Sequence, residues 1–286
     1  MVKGSIVSSA ARPARIGRFE GSGSFSGLAR VAGLTLKQPT VYFLAPLPQW
    51  IFSGRELIAW SNMMELSVYG TWSGLPNEIA SELFANATFY QLKAGDTLFQ
   101  TGDKGDGCYR LDLGLLKVSL ISPQVRERII AIITPGVVVG DLAVIDGLPR
   151  SASVHALTDC ELRFLSRAAF ERLAQDHPEI HQYLVKLLAA RLRQADEIIA
   201  SLAFLPAKAR VAYALLALAE NLGQETDSGA VLIPRIINQG DIAAMAGVAR
   251  ENASRILSEW ERKNLVTKSS GSYRIDGAKL KGEINE

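Results

Sequence analysis

Between Leu184 and Leu205 apolar residues return in steps of four and three, through Leu184, Leu188, Ala195, Ile198, Leu202 and Leu205, with Arg191 as the charged member of the stripe. That spacing is the seam of a coiled coil. It predicts one long helix that starts near Asp176, carries Pro178 in its first turn and runs to Leu205-Pro206. An arginine in the middle of such a seam needs a partner charge or a ligand beside it. From about residue 75 to 170 the pattern is instead one of short apolar or alternating runs, such as Tyr109, Leu111, Leu113, then LLKVSLIS, RIIAIITPG and CELRFLS. Glycine turns at Gly95-Asp96, Gly102-Asp103 and Gly105-Asp106-Gly107 separate them, and many short strands with such turns predict a barrel or jelly roll.

Downstream of the long helix, RVAYALLALAENLG reads as a helix ending at Gly223, and Gln224 to Gly229 is a polar loop. A short helix from about Gly240, a glycine turn at Gly247 and a second amphipathic helix in VARENASRILSEW make a helix-turn-helix. Two strand runs around Ser269-Ser270-Gly271 supply a wing. In the second helix Arg250, Glu251, Ser254 and Arg255 share a sector of roughly 140° at 100° per residue, opposite Ala249, Ala253, Ile256, Leu257 and Trp260. Taken alone, this is the pattern of any solvated amphipathic helix. Inside a helix-turn-helix the charged face acquires a use: arginine pairs with guanine O6 and N7, and glutamate accepts from cytosine N4.

The strand region contains VVVGDLAVIDGLPRSASVHAL. Gly140 lets backbone approach a ligand, Asp141 offers a carboxylate to hydroxyl groups, and Arg150 stands beside the small hydroxyl of Ser151. A guanidinium fork next to free amides suits a phosphate in a tight turn. A Gly-Asp and an Arg-Ser in a β domain are also ordinary loop residues.

Composition narrows the picture. The 286 residues are enough for two domains with cores, and 48% are hydrophobic against 21% charged. No apolar run approaches the roughly 18 residues of a membrane span, and no apolar block follows Arg12, Arg15 and Arg18 as a secretory signal requires. A cytoplasmic protein is expected. Two cysteines, Cys108 and Cys160, make neither a disulfide framework nor an iron-sulfur site, and His155, His177 and His181 have no metal-like spacing. No metal, haem or catalytic constellation is expected, so the chain reads as a non-enzyme. A net charge of +2 does not by itself argue for nucleic acid. Residues 1–63 are basic, rich in Gly, Ser and Ala and without sustained period; they read as a weakly ordered extension, a basic arm on DNA or, given Met63-Met64, a mis-assigned start.

Over about residues 75 to 280 the chain resembles the catabolite activator (Crp/Fnr) family of bacterial transcription regulators. The resemblance is carried by Gly140-Asp141-Leu142, by Arg150-Ser151-Ala152, by Leu202-Ala203-Phe204-Leu205 and by Ala249-Arg250-Glu251 with Arg255. It implies an α+β chain: a cyclic-nucleotide-binding β-roll over 64–175, a dimerisation helix over 176–206 and a winged helix-turn-helix over 207–286. In the family the positions of Arg150 and Ser151 bind the cyclic phosphate, that of Gly140 admits the ribose, and a glutamate at Asp141 binds its hydroxyl. Aspartate here is shorter by one methylene.

Arg191 falls where a family arginine borders the nucleotide. Ala195 and Asp196 replace a threonine and a serine that touch adenine across the dimer. A carboxylate at Asp196 suits the donor edge of guanine, so cyclic AMP, cyclic GMP and cyclic di-GMP compete as effectors. Arg250, Glu251, Ser254 and Arg255, with Gln239 on the preceding helix, are expected to face double-stranded DNA at a palindromic TGTGA-like site. A homodimer, RNA polymerase as a partner and no membrane association follow. Two alternatives stay open: a ligand-independent regulator of the same fold, and a cyclic-nucleotide sensor module that regulates an enzyme or channel.

Overall fold

The computed structural model describes residues 75, 77–226, 229–269 and 271–284; the extension over 1–63 lies outside them. The chain is α+β. An opening helix α1 (Asn77–Ala85) leads into eight strands: β1 (Thr88–Leu92), β2 (Thr97–Phe99), β3 (Gly107–Leu113), β4 (Leu116–Ile121), β5 (Glu127–Ile133), β6 (Val138–Val139), β7 (Ser153–Ala156) and β8 (Cys160–Ser166). A short helix α2 (Asp141–Asp146) interrupts them between β6 and β7. They pair antiparallel as two four-stranded sheets, β1-β8-β3-β6 and β2-β7-β4-β5. Inward residues such as Leu111, Leu116, Val118, Ala131, Val154 and Leu162 are almost wholly buried and form the roll's core.

One irregularity matters below. Val118 pairs with Ala131 while Ser119 pairs with Ile129, so Ile130 is the extra residue of a β-bulge in β5. A bulge re-aims a side chain without ending the strand pair.

Helices α3 (Arg167–Asp176) and α4 (Glu179–Phe204) follow. The region expected to be strand throughout thus includes three helices, α1, α2 and the start of α3. Ser166 caps α3 by accepting from the Ala169 amide. The chain breaks at His177, and Pro178 is the N-cap residue of α4, so the long helix starts at Glu179 and not near Asp176, which ends α3. A second apolar cluster joins α1, α3 and the first half of α4 through Leu83, Phe84, Phe170, Ile180, Leu184 and Leu187 to Cys108, Val138 and Leu165 on the sheet.

The expected seam of α4 is corrected: the helix carries two stripes. Ile180, Leu184 and Leu187 are buried against the roll, and Arg191 follows them on that side. Val185, Leu192 and Ile199, seven apart, are 67%, 65% and 64% exposed, and Leu202, 43% exposed, continues the outward stripe.

The C-terminal part is built from α5 (Ala207–Leu222), β9 (Gln224–Glu225), β10 (Val231–Ile233), α6 (Gln239–Ala246), α7 (Arg250–Arg262), β11 (Val266–Ser269), β12 (Ser272–Ile275) and α8 (Gly277–Gly282). The wing hairpin β11-β12 is extended by β10 and β9 into a four-stranded sheet. Asn238 and Asp241 form a reciprocal capping box that starts α6, and Gly247 ends it in the left-handed region at φ 61°. Ala253, Ile256, Leu257 and Trp260 fill the core beneath α7, whereas Ala249, expected among them, is its exposed N-cap residue. Trp260 is completely buried, and its Nε1 donates to Glu283 Oε2 at 3.0 Å.

Candidate functional site

The segment that begins α2 forms one wall of a cavity of about 130 Å³ inside the roll, together with Phe99, Val118, Ile130, Val139, Arg150, Ser151 and, from α4, Arg191. Gly140 sits at φ 78°, the left-handed region that admits glycine readily, and a Cβ there would collide with Arg150 Nη1. Only a glycine lets the backbone lie this close to the guanidinium. Asp141 is 3% exposed, and its carboxylate meets Arg191 in a paired arrangement: Nη1 donates to Oδ1 at 3.1 Å and Nη2 lies 2.9 Å from Oδ2. Two long-separated segments, the roll and α4, are thereby joined through the cavity.

Arg150 is buried. Its Nη1 donates to Gly107 O at 2.7 Å and Gly140 O at 2.9 Å, and Nη2 lies 3.4 Å from Asp106 Oδ1. The guanidinium stacks 4.2 Å above the Phe99 ring, with Tyr109 at 5.9 Å. Its Nε is buried without a hydrogen-bond partner. Burial, then the nearby Asp106 carboxylate, pushes the Tyr109 hydroxyl pKa up. Burial, then Asp141, does the same to the Cys108 thiol, which leaves it an inert core residue rather than a nucleophile.

Of the expected ligand positions, the structure brings together Gly140, Asp141, Leu142, Arg150, Ser151 and Arg191. It does not bring Ala195 and Asp196 to this cavity; both lie farther along α4, beyond Arg191, and both are exposed. The cavity also uses Phe99, Val118 and Ile130, which sequence reading did not single out. Alternation marks Val118 as inward, but no sequence signal announces the bulge that turns Ile130 inward.

On α7, Arg250, Glu251 and Arg255 are exposed and Ser254 is half-buried, on the face opposite the core. Arg255 Nη2 donates to Asn252 Oδ1 at 2.5 Å, which holds the guanidinium along the helix. Glu251 lies in the first turn and Arg262 in the last, the arrangement that suits the helix dipole. Gln239 opens α6 just after the capping residue and is half-buried. The β4-β5 hairpin stands across an open groove from the start of α7, with Leu120, Gln124 and Arg126 on one side and Arg250 and Glu251 on the other.

The hairpin also holds α6. Lys117 Nζ lies 2.9 Å from Glu127 Oε1 and 3.6 Å from the capping-box carboxylate of Asp241, and Arg128 Nη1 donates to Ala244 O at 3.3 Å. Both ends of the first helix of the helix-turn-helix therefore touch the same pair of strands, two residues of which, Val118 and Ile130, line the cavity inside the roll. Burial, then the charge of Lys117, lowers the His155 imidazole pKa on the neighbouring strand β7. Among the described residues no cluster of His, Cys, Asp or Glu is arranged to hold a metal ion, and no helix is long and apolar enough to cross a membrane.

Known proteins match this arrangement in both halves. Residues 90–177 match the cyclic nucleotide-binding domain family and residues 209–281 the Crp-like helix-turn-helix domain family. The chain is 30% identical over 206 residues to the CRP-like cAMP-activated global transcriptional regulator of Mycobacterium tuberculosis, covering 72% of this chain and 92% of that protein. It is 34% identical over 191 residues to the cyclic AMP receptor protein of Thermus thermophilus, covering 66% and 84%. A CRP/FNR-family transcriptional regulator of known structure, also from Thermus thermophilus, superposes with a TM-score of 0.58 at 27% identity, covering 70% of this chain and 99% of that one. The Mycobacterium tuberculosis relative and the superposed structure are both transcriptional regulators. With a nucleotide-binding roll and a Crp-like helix-turn-helix joined in the same order, the chain belongs to the Crp/Fnr family of DNA-binding transcription regulators.

Proposed function

We propose that the protein is a homodimeric, cytoplasmic regulator whose DNA affinity is set by a cyclic nucleotide. The observation that carries this reading is that Asp141 and Arg150, the ribose and phosphate positions, face one cavity that α4 closes through Arg191. The partnerless Arg150 Nε and the cradle at Gly140 both fit an anionic ligand. At about 130 Å³ the cavity is smaller than the roughly 300 Å³ at which small-molecule sites begin. A nucleotide therefore enters only as Arg191 withdraws, its hydroxyl replacing the guanidinium at Asp141 and its phosphate bonding Arg150. That displaces α4 and presses on Val118 and Ile130, and the same strands carry Lys117 and Arg128 on α6. The effector shifts a population of positions of α7 by binding one of them better.

The outward stripe of Val185, Leu192, Ile199 and Leu202 is the surface for a second copy, which also carries Ala195 and Asp196 toward the other protomer's cavity. In this reading those two residues choose between cyclic AMP, cyclic GMP and cyclic di-GMP. Relatives named for cyclic AMP favour that nucleotide, while Asp196 favours a guanine. Arg250, Glu251 and Arg255, assisted by Ser254 and Gln239, read a palindromic TGTGA-like site in successive major grooves. RNA polymerase is the protein partner that this function implies.

A second reading has its own support: Arg150 and Asp141 are already bonded to protein groups, so the roll is complete without a ligand, as in a constitutive regulator. A gel-shift titration on a TGTGA-type palindrome separates the two. Tightening by one cyclic nucleotide is expected; equal affinity in every lane favours the constitutive form. On the same probe Arg250→Ala loses about 1–3 kcal/mol of discrimination at one base position, and uniform weakening at all positions refutes direct readout.

A further inference from the structure

A second, smaller cavity of about 30 Å³ lies beneath the turn of the helix-turn-helix, among α4, α5, β5 and α6. Its wall holds two guanidinium groups, Arg128 from the roll and Arg210 from the first turn of α5, with Glu197, Ser201 and Tyr213. Each arginine makes one hydrogen bond to a carbonyl at the C-terminal end of α6: Arg128 to Ala244 O at 3.3 Å and Arg210 to Gly247 O at 3.1 Å. Those carbonyls carry only the partial negative charge of a helix end. The Nε atoms of both arginines are buried without a hydrogen-bond partner, and neither guanidinium has a carboxylate within ion-pair distance among the described residues. Glu197 shares the wall but is in ion-pair contact with neither guanidinium; burial raises its pKa.

Guanidinium groups do not shed their protons in proteins, so the two like charges persist together in a confined space. Burial and the neighbouring Arg210 both work against the Arg128 charge. Two cations and two unused donors around one small, partly open cavity provide what an anion needs. A buried water needs about 10–15 Å³, so this cavity has room for about two waters or one monatomic anion, and not for a tetrahedral oxyanion.

We propose that the cavity between Arg128 and Arg210 binds a small inorganic anion of halide size, with chloride as its physiological form. The bound ion neutralises the repulsion and ties the roll, α5 and the turn at Gly247 into one unit. This site is separate from the nucleotide cavity and stands whether or not that cavity binds an effector.

The test is thermal unfolding of the full chain without DNA, with sodium gluconate replaced by sodium chloride at constant ionic strength. The midpoint is expected to rise with chloride, by on the order of 3 °C at tenfold excess over the dissociation constant. Arg210→Met should remove the dependence and leave the midpoint equal in both salts. Crystals of the unsubstituted protein grown in bromide should show an anomalous peak between the two guanidiniums, which decides the matter even if the variant does not fold. No peak together with equal midpoints in chloride and gluconate overturns the proposal. So does stabilisation by sulfate or phosphate with none by chloride.

Discussion

Replacing Asp141 with asparagine keeps the shape of the cavity wall and removes one charge. The carboxylate is 3% exposed, and Arg191, its partner, has a side chain 15% exposed, so the guanidinium is left poorly solvated when the pair is broken. Removing one partner of a fully buried pair costs about 3–5 kcal/mol. Because Arg191 retains some water and the amide oxygen still accepts from Nη1, the expected loss is about 2–3 kcal/mol, at or just below the lower end of that range. Urea denaturation of the nucleotide-free protein measures it, and a thermal scan should move by roughly 2–4 °C for each kcal/mol. The double variant Asp141→Asn/Arg191→Met is the decisive control, since it removes the stranded charge as well and should recover most of the loss. If Asp141→Asn alone unfolds within about 0.5 kcal/mol of the parent, the level of an ordinary surface substitution, then the pair does not hold α4 to the roll and the reasoning fails. A double variant no more stable than the single one refutes it equally.

Two further outcomes follow from the structure. Ile199→Asp places a charge in the exposed stripe of α4; analytical ultracentrifugation should find monomers at concentrations where the parent is dimeric, with the fold unchanged by circular dichroism. Glu283 is held to a pKa of about 2 by its hydrogen bond with Lys208, then by those with Trp260 and Lys263, against an ordinary value of 4.5. The lowered value means that its stabilisation is complete above the unfolded pKa and is lost as pH falls from about 4.5 toward 2. Glu283→Gln should flatten this part of the stability curve, monitored by Trp260 fluorescence, and an unchanged acid limb would count against it.

What could be read from the amino acids alone depended on the range of the forces involved. The helix-turn-helix was legible because its determinants are local: the left-handed Gly247 and the split between Arg250, Glu251 and Arg255 and the apolar side of α7. The cavity residues Asp141 and Arg150 were legible through resemblance and the chemistry of their side chains. Helix α2 was not, because its six residues are too few for a period to emerge and its glycine ends look like turns. In α4 a spacing of three and four is satisfied by either of two neighbouring stripes. Which one faces the roll depends on Cys108, Val138 and Leu165, residues far away in the chain. The contacts of Lys117 and Arg128 with α6 join groups more than a hundred positions apart, a distance at which local pattern carries no information.

The bulge at Ile130 makes the β4-β5 hairpin unusually tolerant of a change in its own length. Deleting a residue from a strand normally throws every later side chain onto the wrong face. Here the surplus residue is the one without a cross-strand mate, so its removal would bring Ile129 and Ala131 into ordinary succession opposite Ser119 and Val118. Arg128 would still lie opposite Leu120 and Glu127 opposite Ile121, keeping the grip on α6, while the cavity would lose one of its apolar walls. The capacity of the pocket and the mechanical link to the helix-turn-helix are thus written in separable letters of the same strand, and lineages could enlarge the first by a single codon loss while conserving the second.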